Sequence, residues 1–123
     1  MKDNFDCPVQ GTMNVLTGKW KVLAVWHLGF RPRRFSELRD LLPGVSEKML
    51  TAQLRQLEKD GVVLRKVKPA NPPQVTYRLS KAGDELIPTM TELCHWGTRH
   101  LGIPPNLPMI RKANSKSRKS RSS

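Results

Sequence analysis

The chain has 123 residues, 37% of them hydrophobic, and carries 22 Lys and Arg against 10 Asp and Glu for a formal net charge of +12. Its length suits one domain with a modest core, and the charge favours a polyanionic partner, either nucleic acid or an anionic membrane surface. No run of 18 apolar residues is present to span a bilayer, the opening MKDNFDCPVQ lacks the apolar stretch of a signal peptide, and Cys7 and Cys94 are too few for a disulfide framework, so a reducing, cytoplasmic location is expected.

Met1–Asp6 reads as a loose N-terminus. A first short helix is predicted over Val9–Leu16, with Val9, Met13 and Leu16 on one face, broken by Thr17-Gly18. Lys19–Leu28, KWKVLAVWHL, is apolar on most sides and is expected to be a helix at the centre of the core. Arg31–Arg34 reads as a basic turn around Pro32. Phe35–Leu42 reads as a short helix with Phe35, Leu38, Leu41 and Leu42 inward.

The stretch Pro43–Gly61, PGVSEKMLTAQLRQLEKDG, is the most informative. Pro43-Gly44 signals a turn. Ser46 is a favourable helix N-cap, Glu47 complements the helix dipole, and Val45 and Leu50 have the spacing of a hydrophobic staple. Leu50, Leu54 and Leu57 form a narrow apolar stripe. The opposite face holds Lys48, Ala52, Arg55 and Lys59, flanked by Met49, Thr51 and Gln56. Such a face suits a major groove, where Lys and Arg meet phosphates and guanine edges. Taken alone it is more readily the pattern of a solvated surface helix, and the segments on either side shift the balance toward the groove.

After Gly61 the period changes from 3.6 to 2. Val62–Val67 is β-branched and basic, and Gln74–Leu79 alternates Val75, Tyr77 and Leu79 against Gln74, Thr76 and Arg78. Lys68–Pro73, with three prolines, is expected to join them as a loop. Helix, turn, helix, hairpin is the winged-helix order. Ser80 is expected to cap a last helix over Lys81–Leu101, kinked or split by Pro88, with Leu86, Met90, Leu93, Gly97 and Leu101 on one face. A lone domain of this size leaves that face uncovered, which predicts a dimer contact. Residues 103–123 read as a proline-rich segment and then a basic disordered tail, whose last 13 residues hold six cations and no acid. Such a tail suits phosphate contact without sequence preference, or a solubilising role.

CPV at Cys7–Val9, GKW at Gly18–Trp20, RFSEL at Arg34–Leu38, the whole of Pro43–Val63, PPQVTYRLSKAG at Pro72–Gly83 and Trp96-Gly97 together resemble the HxlR-type family of bacterial transcription regulators. The resemblance spans about Cys7–Gly102. Two features depart from it: Val75-Thr76-Tyr77 stands where the family usually reads V-E-Y, and a long basic tail is unusual. The resemblance implies a mostly α fold with a small β-hairpin, a homodimeric winged helix-turn-helix with terminal helices forming the dimer contact, and double-stranded DNA with an inverted-repeat site as partner. On this reading Lys48, Met49, Thr51, Ala52 and Arg55 would face bases or adjacent phosphates. Arg34, Ser46, Lys68, Asn71 and Gln74 would hold the DNA backbone. Val9, Met13, Leu86, Met90, Leu93 and Leu101 would form the dimer contact.

Cys7 is the sharpest chemical candidate. A thiol at a helix N-terminus has its thiolate stabilised by free amides, and the resemblance implies oxidant sensing at the matching cysteine; a buried structural thiol is the other reading. Cys94, on the inner face of the last helix, reads as packed and inert. His27, His95 and His100 with the two cysteines form no metal-ligand pattern, and no cofactor or metal is expected. Trp20, Trp26 and Trp96 lie on apolar faces and read as core rather than base-stacking platforms. No nucleophile elbow or phosphate loop is present. Two alternatives are a charge-driven architectural DNA- or RNA-binding protein and a thiol enzyme built on Cys7; the absence of a CxxC pair weighs against the second.

Overall fold

The computed structural model describes residues 7–104; the N-terminal hexapeptide and the basic tail lie outside them. The elements run α1 (Pro8–Leu16), α2 (Lys19–Leu28), β1 (Arg33–Arg34), α3 (Phe35–Leu41), α4 (Glu47–Lys59), β2 (Val63–Lys68), β3 (Gln74–Leu79), α5 (Lys81–Asp84) and α6 (Leu86–Leu101). The chain divides into two compact units, Met1–Asp84 and Glu85–Ser123. The fold is a winged helix-turn-helix.

In the first unit α2 lies against α1, α3, α4 and β3. Its Ala24, Val25 and Leu28 are buried, while Trp20, Val22, Leu23 and Trp26 are half-buried. Two polar residues of the same helix, Lys21 and His27, are buried as well, which its apolar reading did not anticipate. Burial pushes His27 down to about 4, with the Arg33 charge adding to the effect, and its Nδ1 has no hydrogen-bond partner. The imidazole is therefore neutral at pH 7.

Helices α3 and α4 meet the core through Leu38, Leu42, Leu50, Leu54 and Leu57, each no more than 1% exposed. Phe35 and Leu41, expected inward, are only half-buried. The Glu37 carboxylate accepts the Arg34 amide at 2.9 Å, closing the first turn of α3. That amide, followed by the surrounding arginines, holds the carboxyl below its usual range. At α4 the Ser46 hydroxyl oxygen accepts the Met49 amide at 3.1 Å, and Val45 and Leu50 are both buried, as the staple requires. An ion pair between Arg39 and Glu47 spans the turn between the two helices.

The sheet has three strands in the order β1-β3-β2, all antiparallel. Arg33 and Arg34, expected in a turn, pair with Tyr77 and Thr76. Two residues are too few for periodicity to register, and the free edge of β3 supplies the ladder. Lys68, expected in the loop, pairs with Gln74 and ends β2, so the connection is the five residues 69–73. Ser80 ties the sheet to α5. Its hydroxyl donates to the Gly61 carbonyl at 2.6 Å and accepts the Gly83 amide at 3.1 Å. Gly83 runs so close to the residue that leads into β2 that a Cβ there would sit 2.4 Å from the Val62 carbonyl oxygen.

The predicted last helix is split. The break falls at Glu85, three residues before Pro88, which lies in the first turn of α6. A proline there lacks the N–H that would bond the Asp84 carbonyl, and its ring clashes with that carbonyl, so the chain restarts its helix with Pro88 in a position that needs no donor. In the second unit Met90 is buried, while Leu93, Trp96, Leu101 and Ile103 are exposed. Trp96 is therefore not a core residue; its ring stacks on His100 at 4.8 Å. No helix among the described residues is long and apolar enough to cross a membrane.

Candidate nucleic-acid interface

Because Leu50, Leu54 and Leu57 are buried along one side of α4, its other side is turned outward. Lys48, Met49, Ala52, Arg55, Gln56 and Lys59 are exposed, and Thr51 is partly so. Among the described residues no acid pairs with Lys48 or Arg55, so both charges are available. Lys48 and Met49 belong to the first turn, Thr51, Ala52 and Arg55 to the middle. Ser46, with its oxygen taken by the Met49 amide, keeps a hydrogen free to donate.

Arg34 and Gln74, forty residues apart in sequence, are brought together: the Arg34 Nη2 donates to the Gln74 Oε1 at 3.2 Å. Lys68 stands opposite Gln74 at the end of the hairpin, and Asn71 lies exposed in the loop beyond it. Arg34, Asn71 and Gln74 line one cleft of about 460 Å³ at the base of that loop. A second cleft, of about 330 Å³, brings Arg65 of β2 to Thr51, Arg55 and Glu58 of α4. Arg65 was missed in the sequence. Strand alternation put it on one side of the hairpin, but only the pairing Arg65↔Tyr77 shows that this side faces α4.

Cys7 is the N-cap of α1, exposed, with Pro8 following it. The neighbouring amides of Gln10 and then Val9 hold its thiol below the ordinary range. The sulfur is exposed, so the thiol stays reachable. Val9 and Met13, one helical turn apart, are exposed beside it. Of the remaining expected contact residues, Leu86 is half-buried and Met90 buried, while Leu93 and Leu101 are open, with the exposed Trp96 on the same helix. Cys94 is half-buried. Among the described residues no group of three His, Cys, Asp or Glu could hold a metal ion.

The family model for an HxlR-like helix-turn-helix matches residues 15–103. The chain belongs to this family. It is 40% identical to the HTH-type transcriptional regulator YdeP of Bacillus subtilis over 115 residues, 93% of this chain and 90% of that one. Among solved structures, the HTH-type transcriptional regulator ytcD is 42% identical, with a TM-score of 0.75, covering 79% of this chain and 99% of its own. The redox regulator HypR in its oxidized form is 40% identical, with a TM-score of 0.71, covering 76% and 97%. This HxlR-like chain is thus a DNA-binding transcription regulator.

Proposed function

We propose that this HxlR-like chain is a homodimeric repressor that reads an inverted-repeat DNA site through α4 and releases it when Cys7 is oxidised. The observation that carries the reading is the division of α4 into a sealed leucine stripe and an exposed cationic face. Lys48, Met49, Thr51, Ala52 and Arg55 contact base edges and the nearest phosphates. Arg34, Ser46, Lys68, Asn71 and Gln74 grip the backbone, with the Arg34–Gln74 bond orienting the guanidinium at the base of the wing. Twofold symmetry sets the two α4 helices in grooves about one helical turn apart, or a multiple of it. The exposed Val9 and Met13 of α1, and separately Leu93 and Leu101 of α6, supply apolar side chains for the dimer. The protein acts in the cytoplasm, at the chromosome, and no catalytic role is assigned to it.

The oxidation step rests on Cys7 being exposed, low in pKa and two residues from Val9. Diamide takes two electrons and two protons from a pair of Cys7 thiols, leaving a disulfide and the reduced hydrazine; hypochlorite converts one thiolate to sulfenic acid with release of chloride. Either change shifts the spacing of the two reading helices. Selection of bound sites from random duplex DNA, repeated after diamide and after reductant, tests the whole reading. An inverted repeat should emerge and binding to it should fall with diamide in the parent and not in Cys7→Ser. Enrichment of no site would leave a charge-driven binder, and equal response of Cys7→Ser would remove the switch.

A further inference from the structure

Beside the reading helix lies a cleft of about 500 Å³ that the residues assigned above do not explain, between the α1–α2 junction and α4. Thr17, Lys19, Trp20 and Lys21 line one side and Gln53 and Gln56 the other. No acid borders it. Lys21 is the anomaly: it is only 9% exposed, yet among the described residues it forms no ion pair and no side-chain hydrogen bond. Its stem is packed while the ammonium keeps access to the cleft, so an unpartnered cation stands there ready to meet an anion. Lys19, by contrast, is engaged, its Nζ lying 4.8 Å from the centre of the Trp20 ring.

The backbone provides the second half of a site. Gly18, at a φ of +97°, is the N-cap of α2, and as glycine it offers no side chain to the first-turn amides. That helix therefore starts uncapped in the same cleft that holds Lys21. Unpaired N–H groups and the helix dipole both favour an oxyanion there. The cleft opens next to Ala52, on the exposed face of α4.

We propose that the cleft is a phosphate site, in which Lys21 and the uncapped first turn of α2 clamp one backbone phosphate of the DNA half-site read by α4. The Lys21 ammonium takes one phosphate oxygen and the amides the other, while Gln53 and Gln56 can donate from the opposite wall. The proposal rests on α4 being the reader, and it adds a contact that fixes how far that helix enters the groove.

The test uses the full-length protein and three measurements. First, the slope of log affinity against log salt is measured on a random duplex for the parent, Lys21→Met and Lys21→Arg. Methionine keeps the apolar stem and removes the charge, so the slope should fall by about 0.9 per cleft, and arginine should restore it. Second, single uncharged methylphosphonates are placed along the selected site. One position per half-site should weaken the parent and leave Lys21→Met unaffected. Third, the melting temperature is followed with inorganic phosphate and sulfate, which should stabilise the parent more than Lys21→Met. Should Lys21→Met fail to fold, Gln56→Glu replaces it, since that exposed position puts a carboxylate at the cleft rim without touching the core. Unchanged salt slopes together with no methylphosphonate-sensitive position coupled to the variant overturn the proposal. If the parent selects no DNA site at all, the α4 reading fails; the salt slope and the anion melts still judge the cleft, and stabilisation of the parent alone would keep it as a site for a free oxyanion. No difference in either would sink both.

Discussion

Leu54 and Arg55 are neighbours in sequence on opposite sides of α4, so one pair of alanine substitutions separates folding from reading. Leu54 is 1% exposed and belongs to the buried stripe; its truncation leaves a cavity in the core and should cost about 2–5 kcal/mol. For about 100 ordered residues the total stability is on the order of 5–15 kcal/mol, so Leu54→Ala removes a large share of it. With a urea slope of about 1–2 kcal/mol/M, the unfolding midpoint should drop by about 2 M. Arg55 is exposed and unpaired among the described residues, so Arg55→Ala should stay within about 0.5 kcal/mol of the parent in stability. Its loss should appear in DNA affinity instead, at about 1–3 kcal/mol per half-site and twice that for a dimer on a full site. Urea unfolding followed by tryptophan fluorescence gives the first quantity, and fluorescence anisotropy on a labelled operator at fixed salt gives the second. Parent-like binding by Arg55→Ala would mean that α4 does not read DNA. A drop in its unfolding midpoint matching that of Leu54→Ala would mean that the guanidinium serves the fold.

Three further outcomes hang on single positions. His27 is neutral in the folded chain down to about pH 4 but takes up a proton near 6.5 when unfolded, so the unfolded state binds more protons between those values and stability should fall as pH drops from 6.5 to 4, by on the order of 1–3 kcal/mol, then level off; urea midpoints across that range should show the drop in the parent and lose it in His27→Gln. Gly83→Ala should destabilise strongly, because its methyl would meet the Val62 carbonyl oxygen at 2.4 Å and backbone cannot step aside; an unchanged thermal midpoint would show that α5 sits further from Val62 than this contact requires. Leu93→Asp should turn the proposed dimer into a 14 kDa monomer in light scattering at micromolar concentration, with the circular dichroism spectrum retained, since Leu93 is exposed in the single chain and its change does not touch the core.

Much of this molecule is written locally. The leucine spacing of α4, the Ser46 cap and the Val45–Leu50 staple are decided by residues within one or two turns of each other, and each appears in the structure where the chain alone placed it; β3 does too, while β2 lies one residue further along than expected. The outward face of α4 follows from the same stripe, so the exposure of Lys48, Ala52 and Arg55 was legible too. Other features depend on partners far along the chain. Strand β1 exists because β3 has an edge to offer Arg33 and Arg34, forty-odd residues away. Arg34 meets Gln74, and Arg65 meets Arg55, only after the sheet has set its register. Pro88 announced a break, but its position at Glu85 reflects which carbonyl the ring would strike. Nothing in the sequence marked Lys21 on a helix apolar on most sides. Its burial, and with it the oxyanion cleft, comes from α2 lying against α4, because a side chain's exposure is set by what the rest of the chain lays over it and not by its own polarity.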